Sequence, residues 1–306
     1  MPNHYRSNSH ISEKVRSACA KLPNQDLAKT ILTILTEQRF VGRLPHFTVE
    51  HLCRKFELTP RELSITLLPI AAAYSLPPIS RFYVGAIAIG TSGNFYFGAN
   101  MEFVDTGMQQ TVHAEQSAIA HAWMQGEIGI QEISVNYAPC GHCRQFMNEL
   151  NDAEKLVINL PESRNNSLHS YLPNNFGPKD LNVTELLLMP RNHGLGLLNT
   201  DDLLIDTALE AINISHAPYS GAYAGAALET EDHFYFIGSY AENAAFNPSL
   251  PALQVAINNL ILNGFELQNI KRAVLIEKKA DISQKVMAKQ LLATLCKLPL
   301  QYIAIE

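Results

Sequence analysis

The sequence predicts an α/β protein in which one α/β unit is used twice behind a small helical segment. Two observations carry this. Apolar positions at helical spacing alternate along the chain with short apolar, β-branched and aromatic runs, the pattern of α/β domains. The chain also repeats itself: sliding it by 140 residues lays 63–102 over 203–242 with eleven identities in forty positions and no gap. The identities pair Leu63 with Leu203, Ile65 with Ile205, Ala71 with Ala211, Ser75 with Ser215, Pro78 with Pro218 and Ser80 with Ser220. They continue with Tyr83 and Tyr223, Gly85 and Gly225, Ala86 and Ala226, Gly98 and Gly238, and Glu102 and Glu242. Matching proline, serine and glycine at turn positions mark a shared backbone path. After a two-residue gap, A-E-Q-S-A-I at 114–119 meets A-L-Q-V-A-I at 252–257.

The elements follow in order. Residues 10–40 read as helical, with Leu27, Ile31, Leu32 and Leu35 on one face. T-V-E-H-L-C-R-K-F-E-L, 48–58, reads as a second helix with Thr48 as N-cap. A third begins at Thr59-Pro60, because proline fits the first helical position. Pro69 should bend it, and L-P-P-I-S at 76–80 ends it. F-Y-V-G-A-I-A-I-G and N-F-Y-F-G-A-N read as strands around a T-S-G turn. A helix follows from about residue 113, then a strand in E-I-S-V-N-Y-A-P, a helix in C-G-H-C-R-Q-F-M-N-E-L and a strand at 155–160. Residues 162–180 are rich in Asn, Ser and Pro, which is linker chemistry. The expected organisation is a helical segment 1–58, a first unit 59–165, a linker 166–198 and a second unit 199–306.

Composition narrows the function. The 306 residues allow two ordinary domains, and 47% apolar against 17% charged residues suffices for a sizeable core. Lys and Arg total 23 against 29 Asp and Glu, a net charge of −6. No basic block is present, so polymeric nucleic acid is not the expected partner. The N-terminus has no apolar run behind a basic start, and no apolar stretch reaches the length of a membrane span. The cysteines Cys19, Cys53, Cys140, Cys143 and Cys296 are sparse and odd in number, which points to a reducing compartment and a cytoplasmic protein. Cys19, Cys53 and Cys296 lie in apolar patterns and read as buried thiols.

The chemistry lies where the two copies differ. His113 and Glu115 stand two apart at the mouth of the small-residue helix T-V-H-A-E-Q-S-A-I-A-H-A, 111–122. Such side chains are costly to bury unpaired. Downstream, P-C-G-H-C-R at 139–144 sets Cys140 and Cys143 three apart at a helix start, so both sulfurs can face one point. The free N–H groups and the dipole of a helix start favour thiolates. Two thiolates and one imidazole suit Zn²⁺ and leave a fourth tetrahedral position open, and sulfur selects zinc over magnesium or calcium. Glu115 reaches a group on the metal more easily than the metal itself, the place of a general acid and base. In the second copy Pro251 replaces His113, Leu253 replaces Glu115, and no cysteine lies between 257 and 295. The cluster is therefore not needed to fold the unit. His142 is not expected to ligate, His121 has no evident partner, and Arg144 either offsets thiolate charge or faces solvent.

H-A-E followed after 23 intervening residues by P-C-x-x-C is the pattern of zinc nucleobase deaminases. With F-G-A-N-M-E-F, N-Y-A-P-C-G-H-C-R-Q-F-M-N-E-L, Y-L-P-N-N-F-G-P-K-D-L and G-S-Y-A-E-N-A-A-F-N-P, the chain resembles the bacterial cytidine deaminases of the long, homodimeric type over most of its length. The resemblance implies a three-layer fold, a mixed five-stranded sheet flanked by helices, present twice. It implies hydrolysis of cytidine and 2′-deoxycytidine to uridine and 2′-deoxyuridine with release of ammonia, in pyrimidine salvage. It further implies one Zn²⁺ per subunit and a homodimer. His113, Cys140 and Cys143 match the zinc ligands, and Glu115 the proton shuttle. Asn100 and Glu102 match residues that hold the ribose 3′-hydroxyl, and Phe82 an aromatic packed on the pyrimidine. Ala114 and Phe246 are carried over as further nucleoside-site positions, Phe246 from a loop near the partner's pocket. Short tetrameric relatives have a third cysteine where this chain has His113. Glu242 repeats Glu102 without a metal nearby and reads as structural. Two rivals fit less well. Deamination of bases within DNA or RNA meets the acidic balance, and a zinc-stabilised binding protein meets the three-ligand site and the metal-free copy.

Overall fold

The computed structural model describes residues 9–163, 165–196 and 200–306. The helical segment holds α1 (His10–Ala20), α2 (Gln25–Glu37), the two-residue strand β1 (Arg43–Leu44) and α3 (His46–Phe56). Residues 10–40 are thus two helices. Pro23 has no N–H to give an interior turn, and Asn24 caps α2 by accepting from the amides of Asp26 and Leu27. Thr48 is not the N-cap of α3, because the helix starts at His46 behind Pro45, whose φ of −60° sets the entry. α4 (Pro60–Ala72) begins as expected, in a reciprocal capping box between Thr59 and Glu62, and runs through Pro69.

The first unit continues with β2 (Gly85–Gly90), β3 (Phe95–Ala99), α5 (Ala114–Met124), β4 (Ile130–Val135), α6 (Gly141–Met147) and β5 (Val157–Asn159). β6 (Asn166–Ser167) and α7 (Leu168–Tyr171) follow in the stretch read as linker, with β6 paired on β5. The second holds α8 (Leu203–Asn213), β7 (Ala224–Thr230), β8 (Tyr235–Ser239), α9 (Ala252–Leu262), β9 (Ile270–Lys278), α10 (Lys285–Cys296) and β10 (Gln301–Ile305). The sheets run β1-β3-β2-β4-β5-β6 and β10-β9-β7-β8. Both are mixed. β2 is antiparallel to β3 and β4, and β4 is parallel to β5. β7 is likewise antiparallel to β8 and β9, and β9 is parallel to β10. The expected α/β unit is present twice. Its strand number is corrected from five to six and four, because β1 and β6 add short edges to a shared set of four in the first sheet alone.

The repeat is physical. Gly85 and Gly225 face α4 and α8, and Gly98 and Gly238 face α5 and α9. A Cβ at Gly98 would lie 2.2 Å from the Ala118 amide nitrogen, and one at Gly238 2.2 Å from that of Ala256. These glycines let helix backbone rest directly on strand. α5 and α9 then pack on each other across a pseudo-twofold. Asn258 Nδ2 donates to the Ser117 carbonyl at 3.0 Å. The repeat partners Gln116 and Gln254 donate to Pro248 O and Gln110 Oε1. One apolar core runs through the helical segment and both units, from Val15 and Leu44 to Ile87, Ile133 and Leu260.

Candidate active site

Two helix starts meet at the site. His113 is the N-cap of α5, Cys140 is the N-cap of α6, and Cys143 lies in the first turn of α6. His113 Nδ1 lies 3.4 Å from Cys140 Sγ and 3.3 Å from Cys143 Sγ, and the sulfurs are 3.7 Å apart. A tetrahedral zinc with bonds of about 2.3 Å to sulfur and about 2.1 Å to nitrogen has S···S and S···N edges of about 3.8 Å and about 3.6 Å. The three donors therefore fit three corners of a zinc tetrahedron. Among the described residues this is the one such group of His, Cys, Asp and Glu. Glu115 stands beside it, with Oε2 3.2 Å from Cys143 Sγ, and is 4% exposed.

The electrostatics suit a cation. Hydrogen bonds from Cys143 and His113 push the Cys140 thiol down to about 3. Cys143 is held up by sharing a proton with Cys140 and by burial. The two shifts are opposed because the sulfurs share one proton. Cys140, exposed and offered two donors, is the one that ionises, and a divalent ion would displace the remaining proton. His113 is raised by its bond to the Cys140 sulfur. Burial raises Glu115, which brings its proton exchange toward neutral pH.

The cluster opens on a cavity of about 580 Å³ to which Phe82, Asn100, Glu102, Ala114, Glu115, His113 and Cys140 all contribute. Asn100 accepts from the Val84 amide at 2.9 Å and donates to the Phe82 carbonyl at 2.8 Å. Glu102 accepts from the amides of Ile79 and Ser80 at 2.9 Å each, and from the Ser80 hydroxyl. Glu242 binds Tyr219 and Ser220 in the same way. The structural role read for Glu242 is thus to hold this turn, and Glu102 shares it. Tyr137, Met108 and Thr111 also line the cavity and were missed. Tyr137 packs on Phe82 with ring centroids 4.5 Å apart; its place in N-Y-A-P-C, just before Cys140, was the available signal. Phe246, 65% exposed with φ of 61°, does not line this cavity. His142 stacks on His113 but is outside the donor group. His121 Nδ1 meets the Phe97 carbonyl. Arg144 does not simply face solvent: it donates to the carbonyls of Pro139 and Tyr171 and braces the peptide before Cys140. Cys19 is buried, whereas Cys53 and Cys296 are half-buried. A second cavity of about 470 Å³, at Asn148, His169 and Lys179, has no comparable donor cluster among the described residues.

The second unit ties the same helix starts without sulfur. Gln284 caps α10 as Cys140 caps α6, and its Oε1 accepts from the amide of Ala252, the first residue of α9, at 2.9 Å. Buried Tyr240 takes the place of Asn100. Gln284→Ala leaves that amide without its acceptor and is expected to cost about 1–3 kcal/mol. The check is a lower urea midpoint with metal content per folded molecule unchanged.

A cluster with one open corner, a buried carboxyl beside it and a cavity in front is the arrangement of a metal-dependent hydrolase. The family described as "Cytidine and deoxycytidylate deaminase zinc-binding region" matches residues 61–160 and again 168–289. A cytidine deaminase of Pasteurella multocida (strain Pm70) is 58% identical over 295 residues, 96% of this chain and 100% of its own. One of Histophilus somni (strain 2336) is 56% identical over 302 residues, 99% of both chains. A crystal structure of cytidine deaminase from Burkholderia pseudomallei is 28% identical, covers 37% of this chain and 97% of its own, and superposes with a TM-score of 0.34. The chain belongs to the cytidine and deoxycytidylate deaminase family.

Proposed function

We propose that this chain is a zinc-dependent hydrolase that converts cytidine and 2′-deoxycytidine to uridine and 2′-deoxyuridine with release of ammonia. The observation that carries the reading is the three-cornered group of His113, Cys140 and Cys143 with buried Glu115 beside it at a cavity wall. His113, Cys140 and Cys143 hold the ion. Zinc, when bound, supplies the Lewis acidity that brings the pKa of a water toward neutrality.

The chain's own side chains do the rest. Glu115 takes a proton from the attacking water and delivers it to ring N3, which leaves C4 electron-poor. The water oxygen adds at C4. Glu115 then takes the second proton, from the hydroxyl now on C4, and passes it to the amine, so that the C4–N bond breaks as the C4=O bond forms and ammonia leaves. A carboxyl raised by burial suits this traffic. Phe82, backed by Tyr137, gives the pyrimidine an apolar wall. Asn100 and Glu102 face the ribose 3′-hydroxyl while holding the 79–84 segment in place. Ala114 is small enough to let the ring approach the start of α5.

We divide the chain into a helical segment 1–58, a catalytic unit 59–165, a linker 166–198 and a metal-free unit 199–306. The protein works as a homodimer in the cytoplasm. Phe246 is exposed and away from its own cavity, the disposition expected of a side chain that serves a second copy. All five cysteines are free, which suits a reducing compartment. No helix among the described residues is long and apolar enough to cross a membrane. The test is the ultraviolet change of cytidine with purified protein, which should vanish on chelation and return with zinc. Faster turnover of a C-containing single-stranded oligonucleotide than of cytidine would replace this reading.

A further inference from the structure

α6 is only seven residues long, yet it carries Cys143 and is capped by Cys140. A helix that short is not stable by itself, so its placement depends on what grips its far end. Just beyond that end, Glu149 is fully buried. Three donors converge on its carboxyl. The Tyr219 hydroxyl at 2.6 Å and His216 Nε2 at 3.0 Å bind Oε1, and the Ala244 amide at 3.0 Å binds Oε2. All three belong to the second unit. Arg191, from the stretch between the units, lies with Nη1 2.6 Å from His216 Nδ1. Arginine can only donate, so Nδ1 accepts and the Nε2 hydrogen points at Glu149. Burial holds His216 below the ordinary imidazole value, which agrees with this neutral tautomer. Asn243 Nδ2 adds a bond to the Gln145 carbonyl within α6 at 2.9 Å.

His216 and Tyr219 stand at the repeat positions of Leu76 and Ile79. In the first unit that loop leads to Phe82. The two loops share their backbone path: Leu76 N donates to Asn100 O, and His216 N to Tyr240 O. The second unit has kept the loop of a nucleoside site but carries polar side chains at two positions that are apolar in the first. Those two side chains satisfy Glu149. A buried carboxyl left without them would be costly, so the carboxyl and the loop act as one device.

We propose that Glu149 is a positioning residue for the metal centre, gripped by His216 and Tyr219, so that the metal-free unit sets the placement of the helix bearing Cys140 and Cys143. This rests on the reading of His113, Cys140 and Cys143 as metal ligands. The test loads the full-length protein, Glu149→Gln and Tyr219→Phe with cobalt. It records the sulfur-to-cobalt charge-transfer bands and the rate of metal loss to a chelator, with kcat and KM for cytidine on the zinc forms. Glu149→Gln should fold, show shifted bands and lose metal roughly 10–100-fold faster, with kcat lowered and KM within about twofold. Tyr219→Phe should shift both readouts in the same direction by less. A folded Glu149→Gln with the parent's bands and rate overturns the proposal. If Glu149→Gln does not fold, unchanged bands and rate in Tyr219→Phe overturn it. Absence of the bands in the parent itself overturns the ligand reading and this proposal together, a result distinct from a parent and variant that share them.

Discussion

Glu115→Gln is expected to keep its zinc and its fold and to lose turnover by at least roughly 10²–10⁴-fold. The amide has nearly the shape of the carboxyl and can still reach Cys143 Sγ, 3.2 Å away in the parent. It cannot accept and return a proton, and every bond change at C4 waits on that traffic. Steady-state assay beside metal analysis of the same sample checks it. Full activity in a zinc-loaded variant would remove Glu115 from the mechanism. The parent adds a second readout. Burial lifts Glu115 above the ordinary glutamate value, so the basic form is lost earlier on acidification than in an exposed glutamate. The acid limb of kcat/KM should therefore lie at higher pH than an exposed glutamate would give, and any residual activity of the variant should lack that limb.

Cys143→Ala is expected to weaken metal retention by more than about 100-fold, beyond the effect of losing an outer-sphere partner, and to abolish activity. Cys143 is 1% exposed and touches all the other parts of the cluster: His113, Cys140 and Glu115. With its sulfur gone, two donors remain at the ends of two helices. The chain should still fold, because the second unit holds the equivalent helix starts together with the Gln284–Ala252 hydrogen bond and needs no ion. Dialysis against a chelator followed by metal analysis, with circular dichroism as the control, separates the outcomes. Retained zinc at the parent's level would show that another side chain closes the site.

Much of the site was legible in advance because its signals are local. Cys140 and Cys143 are three apart, His113 and Glu115 two apart, and each pair sits at a helix start that small residues and Pro139 announce. The repeat was legible because Gly85, Gly98 and their partners answer a steric demand that only glycine meets. The helix boundary at Pro23 and the cap at Pro45 were misread, since amphipathic spacing persists across a break that a single proline imposes. The linker composition of 162–180 does not reveal that β6 pairs with β5 inside it.

The sequence by itself determined the group of His113, Cys140 and Cys143, the carboxyl of Glu115 beside it and the doubled α/β unit. Each is written in spacing that survives whatever the chain does elsewhere. Only the tertiary structure decided that Tyr137 backs Phe82, that Gln284 replaces the sulfur cluster 32 residues from Ala252, and that Glu149 meets His216 and Tyr219 at separations of 67 and 70 residues. Periodicity says which face of an element is apolar. It does not say which distant element that face will meet, because that choice is made by packing two whole units against each other.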